Sequence, residues 1–269
     1  MKFNTLCVHG STDPCDRTGS ISVPIYQTAT FSHPGVREST GYDYSRMQNP
    51  TREHLEKTMA RLECGRDAIA FSSGMAAITA LMELFSPGDR IIASDDLYGG
   101  SRRLFENINV KNGLSFDFVN TSDLALVEAA IRPETKALFV ETPTNPMMQV
   151  TDIAAAARLS RKHSLRLIVD NTFLTPYFQK PLTLGADIVI HSGTKYLGGH
   201  NDTLAGFLVA SDPELCERLR FIYKTTGACL SPFDSWLLIR GIKTLPLRME
   251  KQQESAQAIA RWLCGCKEI

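Results

Sequence analysis

A chain of 269 residues with 43% hydrophobic and 22% charged content is suited to one large globular domain, or one domain and part of a second. Its 29 basic and 29 acidic side chains cancel, so no net field draws it to nucleic acid or an anionic membrane, and any ligand must be recognised locally. The seven cysteines (Cys7, Cys15, Cys64, Cys216, Cys229, Cys264, Cys266) are scattered, odd in number and without a CxxC pair, which argues against a disulfide framework or a metal site and suits a reducing cytosol.

The N-terminus, MKFNTLCVHG, lacks the basic and apolar regions of a signal peptide, and no apolar run is long enough to span a bilayer; a cytoplasmic protein is expected. Residues 1 to about 44 are rich in Ser, Thr, Pro and Gly and read as an irregular arm that packs on something else. From Pro50 the pattern changes. TREHLEKTMARLEC places Leu55, Met59 and Leu62 at helical spacing, with Thr51 as candidate N-cap. Beyond it, the strand-like runs DAIAF, RIIAS, SFDFV, KALFVE, LRLIVD, ADIVI and LAGFLVA follow one another, with the helical stretches MAAITALMELF, SDLALVEAAI and TDIAAAARLSRKH between some of them and PELCERLRFIYKT after the last. Runs apolar on both faces and joined by helices predict an α/β fold, a mostly parallel sheet covered on both sides.

Ligands in such folds sit at the carboxyl ends of the strands. Five polar clusters fall there: SSGM after DAIAF, DDLYGG after RIIAS, ETPTNP after KALFV, DNT after LRLIV and HSGTK after ADIVI. In the first, the N–H groups of Gly74 and Met75 open a helix and suit an anion such as phosphate, although a plain capped turn has the same pattern. Asp170 directly follows LRLIV, where a desolvated carboxylate needs a cation or a donor; a protonated ring nitrogen would serve, as would hydrogen bonds from the next loop. Lys195 sits among Ser192, Gly193 and Thr194 in HSGTKYLGGHND, and a lysine of lowered pKa there forms an imine with an aldehyde. With the aromatic Tyr98 on the same rim, these needs converge on pyridoxal 5′-phosphate (PLP). Neither GxGxxG nor GxxxxGK[ST] occurs, which disfavours a nicotinamide dehydrogenase or a nucleotide-triphosphate enzyme.

Nearly end to end, through YDYSRMQNPTR, FSSGMAA, DDLYGGS, ETPTNP, VDNTF, HSGTKYLGGHND and RGIKTLPLRMEK, the chain resembles the Cys/Met-metabolism family of PLP enzymes, which includes cystathionine γ-synthase, cystathionine β- and γ-lyases and methionine γ-lyase. The resemblance implies the large domain of a fold-type I PLP-dependent transferase. On it, Lys195 holds the cofactor covalently and then shuttles protons, Asp170 pairs with the ring nitrogen, and Tyr98 stacks on the ring and joins Lys195 as a catalytic residue. Gly74, Met75, Ser192 and Thr194 bind the phosphate, Thr172 lies beside the ring, and Asn145 reaches the cofactor hydroxyl and the substrate carboxylate. Tyr44 and Arg46 clamp the phosphate of a neighbouring subunit, with Tyr44 also near substrate, so the implied assembly is a homodimer of shared sites, usually doubled to a tetramer. No metal is implied.

The same resemblance implies substrates that are sulfur amino acids or activated homoserine esters, with lyase products of a thiol, ammonia and a 2-oxo acid. Methionine γ-lyases typically carry a cysteine where this chain has Gly100, which argues against methionine. Arg103 matches an arginine that faces the distal end of cystathionine in some members, or is a solvated helix residue like Arg102. The usual YSRSGNPTR reads YSRMQNPTR here, changing Met47 and Gln48. The implied organisation is an arm for subunit contacts (1–44), a PLP-binding catalytic domain (45–242) and the beginning of an incomplete C-terminal domain (243–269), since members continue for roughly a hundred residues more. A short chain of this kind is expected to expose apolar surface and to bind substrate weakly. The rival readings are a transaminase of the same fold and a PLP-binding protein with little turnover.

Overall fold

The structure, a computed structural model, describes residues 1–11 and 19–267; Cys15 lies outside the described residues. The arm is not irregular throughout. Phe3–His9 forms helix α1, which buries Leu6 and Cys7 against the body of its own chain. Burial pushes the Cys7 thiol up to about 12, so it packs as a neutral apolar group.

Helix α2, Pro50–Leu62, starts two positions earlier than its sequence suggests. Its cap is Asn49, not Thr51: Asn49 Oδ1 accepts from Thr51 N (3.0 Å) and Arg52 N (3.4 Å), while Pro50 takes the first helical position, where a missing N–H costs nothing. The Thr51 hydroxyl is used elsewhere, donating to the Pro24 carbonyl at 2.8 Å and accepting from Tyr26 N at 2.9 Å, and so ties the arm to α2.

The strands and helices then alternate as the patterning predicts: β1 (Asp67–Phe71), α3 (Gly74–Met82), β2 (Arg90–Ser94), α4 (Gly99–Leu104), β3 (Ser115–Val119), α5 (Leu124–Ala130), β4 (Thr135–Glu141), α6 (Ile153–Lys162), β5 (Arg166–Asp170), the short α7 (Thr175–Phe178) and β6 (Ile188–Ser192). Strand β7 (Gly206–Ala210) and helices α8 (Pro213–Thr226), α9 (Pro232–Ile242) and α10 (Leu245–Leu263) complete the described chain. The seven strands form one sheet in the order β1-β7-β6-β5-β4-β2-β3. All neighbours from β6 to β3 are parallel; β7 runs antiparallel to both β6 and β1.

Alternate residues of each strand feed opposite faces. Ile69, Phe71, Phe139, Ile168 and Ile190 pack under α3 and α8. Their sequence neighbours do the opposite: Leu138, Val140, Leu167 and Val169 meet Val127 of α5 and Ile153 of α6, and Ala68, Ala70, Val189 and Val209 meet α1, α2, α9 and the start of α10. The result is three layers with the sheet in the middle. Beyond Met249, α10 buries no residue, and Leu247, Ile259 and Trp262 stand exposed. Among the described residues no helix is long and apolar enough to cross a membrane.

Candidate active site

The parallel strands all end on one rim, and β7 begins on it. At that rim lies a cavity of about 540 Å³, of the size that small-molecule sites occupy. Each of the five polar clusters contributes: Gly74 and Met75 at the start of α3, Tyr98 before α4, Glu141 and Asn145 after β4, Asp170 and Thr172 after β5, and Ser192, Thr194 and Lys195 after β6. Nine of the residues expected at a cofactor or substrate site are therefore brought together.

The first N–H groups of α3 have no partner one turn back, and Gly74 and Met75 present them to the cavity. Ser73 caps the helix, accepting from Ala76 N at 3.1 Å, so the capped turn and an anion site coexist. The approach is tight. A Cβ built on Gly206 would stand 2.1 Å from the Ser73 carbonyl oxygen, so only glycine lets β7 begin beneath this turn.

Asp170 forms part of the cavity wall beside Thr172, whose N–H and hydroxyl donate to its Oδ1 at 3.0 and 2.6 Å. Burial raises its pKa, while the Thr172 donors and the His191 ring pull the other way. The Thr172 hydroxyl also accepts from Ser192 N at 2.8 Å, which couples the end of β5 to the turn that leads to Lys195. Thr194 is committed to the fold: its hydroxyl accepts from Ala205 N (3.1 Å) and donates to the Ala205 carbonyl (3.3 Å), closing the loop between β6 and β7. Lys195 is exposed to the cavity and makes no side-chain hydrogen bond or ion pair among the described residues. Behind it, Arg248 of α10 donates to the Tyr196 carbonyl at 2.7 Å and to the Gly241 carbonyl at 2.8 Å, while Gly199, at φ +73°, lies where a side chain would strike that guanidinium.

Glu141 is the residue that sequence reasoning left without a role. It stands directly opposite Asp170 in the β4–β5 register. Its two oxygens accept from Tyr98 N (2.9 Å) and Asn145 N (3.1 Å), so one carboxyl holds both loops on that side of the cavity. Burial, with the Asp170 carboxyl adding to it, raises its pKa to about 8. The signal in sequence was its place at the end of KALFVE, on a strand buried along nearly its whole length.

Three expected residues lie away from the cavity. Arg103 is an exposed residue of α4, facing solvent like Arg102. Tyr44 is exposed with the Arg46 guanidinium 5.3 Å above its ring, and Arg46 donates to the Lys224 carbonyl on α8. Neither belongs to the cavity wall of its own chain.

A raised carboxyl with no ion pair among the described residues, an uncommitted lysine, the N–H groups of a helix start and an aromatic ring 48% exposed at the mouth fit a flat, phosphorylated, basic-ring aldehyde. Comparison with known proteins agrees. The family described as Cys/Met metabolism PLP-dependent enzyme matches residues 4–269. A cystathionine gamma-synthase of Haemophilus influenzae is 54% identical across 97% of this chain and 71% of its own length, and a cystathionine gamma-lyase of Bacillus subtilis is 52% identical across 98% and 69%. The crystal structure of cystathionine gamma-lyase from Lactobacillus plantarum complexed with L-serine superimposes with a TM-score of 0.97 at 47% identity, covering 99% of this chain and 70% of that one. With motifs, sheet order and cavity all in accord, the chain belongs to the Cys/Met metabolism PLP-dependent enzymes.

Proposed function

We propose that the chain acts on sulfur amino acids of the cystathionine type, cleaving a C–S bond or forming one by replacement at Cγ. The observation that carries the reading is the shared cavity of Lys195 and Asp170, with the start of α3 on the same wall. When bound, PLP supplies an aldehyde that links to amines and a ring that withdraws electron density from the substrate Cα. Lys195 Nζ is the attachment point and then the base that takes the Cα proton and returns it. The Asp170 carboxylate keeps a proton on the ring nitrogen, and this answers its own burial. Tyr98 covers one ring face, Thr172 flanks the ring, and Gly74, Met75, Ser192 and Thr194 surround the phosphate. Asn145, held by Glu141, orients the substrate carboxylate.

Tyr44 and Arg46 complete the phosphate site of a second copy of the chain, so the working unit is a homodimer or a pair of dimers in the cytoplasm. Their exposure where the arm meets the body supports this reading. Arg103 takes part only through a distal substrate group. The arm (1–44), the catalytic body (45–242) and the segment from 243 onward are the proposed divisions.

Borohydride reduction of the PLP-treated protein, followed by peptide mass analysis, tests the site. Label is expected on Lys195 and disappears in Lys195→Ala; label on another lysine, or none, refutes the assignment. Assays with cystathionine, with O-acylhomoserine plus cysteine, and with methionine then separate the subtypes, and thiol and ammonia are the expected products if cleavage dominates. Transfer of the amino group to a 2-oxo acid instead would make the protein a transaminase.

A further inference from the structure

On the inner side of the cavity wall lies a polar cluster that the catalytic reading does not use. Glu63, just past the end of α2, and His191, in β6, are both 0% exposed, and His191 Nε2 stands 2.6 Å from Glu63 Oε1. The same oxygen accepts from Asn171 Nδ2 at 2.8 Å. Asn171 Nδ2 also donates to the Gln179 carbonyl (2.9 Å), and Gln179 Nε2 donates to Asn171 Oδ1 (2.9 Å) and to the Thr142 carbonyl (3.1 Å). Glu63 Oε2 and His191 Nδ1 are buried without a hydrogen-bond partner among the described residues.

Stability alone does not account for such a cluster. Apolar residues of similar volume commonly hold a core as well as a buried ionisable pair does, and a cluster with unmet polar atoms is less favourable still. Its connections point to what it does. Thr142 follows Glu141, Asn171 follows Asp170, and His191 precedes Ser192, so at each of the three strand ends the group that the cluster grips is the immediate chain neighbour of a cavity residue. Because side chains alternate along a strand, His191 points away from the side that Ser192 faces. One carboxylate, reached directly and through Gln179, therefore holds the ends of β4, β5 and β6 from behind the cavity.

We propose that Glu63 is a positioning residue for the cofactor site, fixing the separation of the two strand ends that carry Asp170 and Lys195. The proposal rests on the reading that these two residues hold PLP. Reacting groups must be held to within about 0.5 Å, and a shift of about 1 Å can cost on the order of a hundredfold.

The test compares wild type with Glu63→Leu, which removes the tie, and Glu63→Gln, which keeps an acceptor for Asn171. In protein without PLP, hydrogen exchange of segments 170–172 and 192–195 is expected to quicken together in Glu63→Leu, while that of β3 stays unchanged. With PLP added, Glu63→Leu is expected to bind at least tenfold more weakly and to lose ellipticity in the cofactor absorption band, with Lys195 still the labelled residue and Glu63→Gln intermediate. Should Glu63→Leu not fold, Asn171→Ala, which cuts the carboxylate from β5 and from the Gln179 link to β4 but leaves its contact with His191, is read in the same way. Wild-type exchange in both segments together with wild-type affinity and ellipticity overturns the proposal. If wild type takes no label on Lys195, it is the cofactor reading that fails, and unchanged exchange then overturns the tie independently.

Discussion

Glu141 and Asp170 face each other across β4 and β5, two carboxyls in a partly dry wall, and each raises the cost of ionising the other. A cation placed against Asp170 relieves that strain, which is what a protonated ring would do. In the ligand-free protein Glu141 binds its proton more tightly folded than unfolded, because its pKa rises from the ordinary carboxyl range to about 8. The stability it contributes is therefore fully present below about pH 4.5 and is lost as pH climbs toward about 8. Urea midpoints measured across that window should fall more steeply in wild type than in Glu141→Gln, and parallel curves would count against a raised pKa at Glu141. At this scale the rim positions of Asp170 and of the cluster that holds Lys195 were legible, because a polar stretch after an apolar strand has its place set by the strand, whereas Asn145 was singled out through family resemblance. Proton affinity at Glu141 and the pairing of Glu63 with His191 were not, since each depends on a neighbour that only the folded sheet supplies.

Among the elements, α2 joins the arm to the sheet, and its start is fixed by Asn49, which caps the helix and also donates to the Tyr26 carbonyl at 2.8 Å and to Ser45 Oγ at 3.1 Å. Asn49→Ala is expected to cost about 1 kcal/mol or somewhat more in chemical denaturation, the usual loss for an N-cap with added loop contacts. A loss within error of zero would show that the Thr51 hydroxyl holds the junction alone. Sequence pattern located this helix but misjudged its cap, because Asn49 and Thr51 are both good capping residues on either side of a proline that either would accept. It missed α1 altogether, since seven residues give too few turns for a period to stand out. The direction of β7 was equally invisible: a strand apolar on both faces reads the same whichever way it runs.

For the whole molecule, the proposed sharing of sites between two copies makes a sharp prediction. Lys195→Ala lacks its own attachment point, and Arg46→Ala lacks what it should lend to a partner. Each is expected to be nearly inactive alone, and mixing the two under conditions that exchange subunits should restore activity, because a mixed dimer holds one intact site. No recovery, with subunit exchange shown by mass, would place Arg46 outside the partner's site. Tyr44 and Arg46 were singled out only through family resemblance; nothing in their local pattern distinguishes them from surface residues. The sheet order also has a kinetic meaning. Strand β1 is made early, yet the strand it pairs with among the described residues is β7, the last of the sheet to be made, and its other edge meets residues 228–230, which are made later still. Synthesis runs from the N-terminus and distant pairings close slowly, so the nascent chain carries an unmatched greasy ribbon from Phe71 until Gly206 is reached. A ribosome stalled short of Gly206 thus holds a chain that can neither seal its sheet nor form a pocket for a ligand.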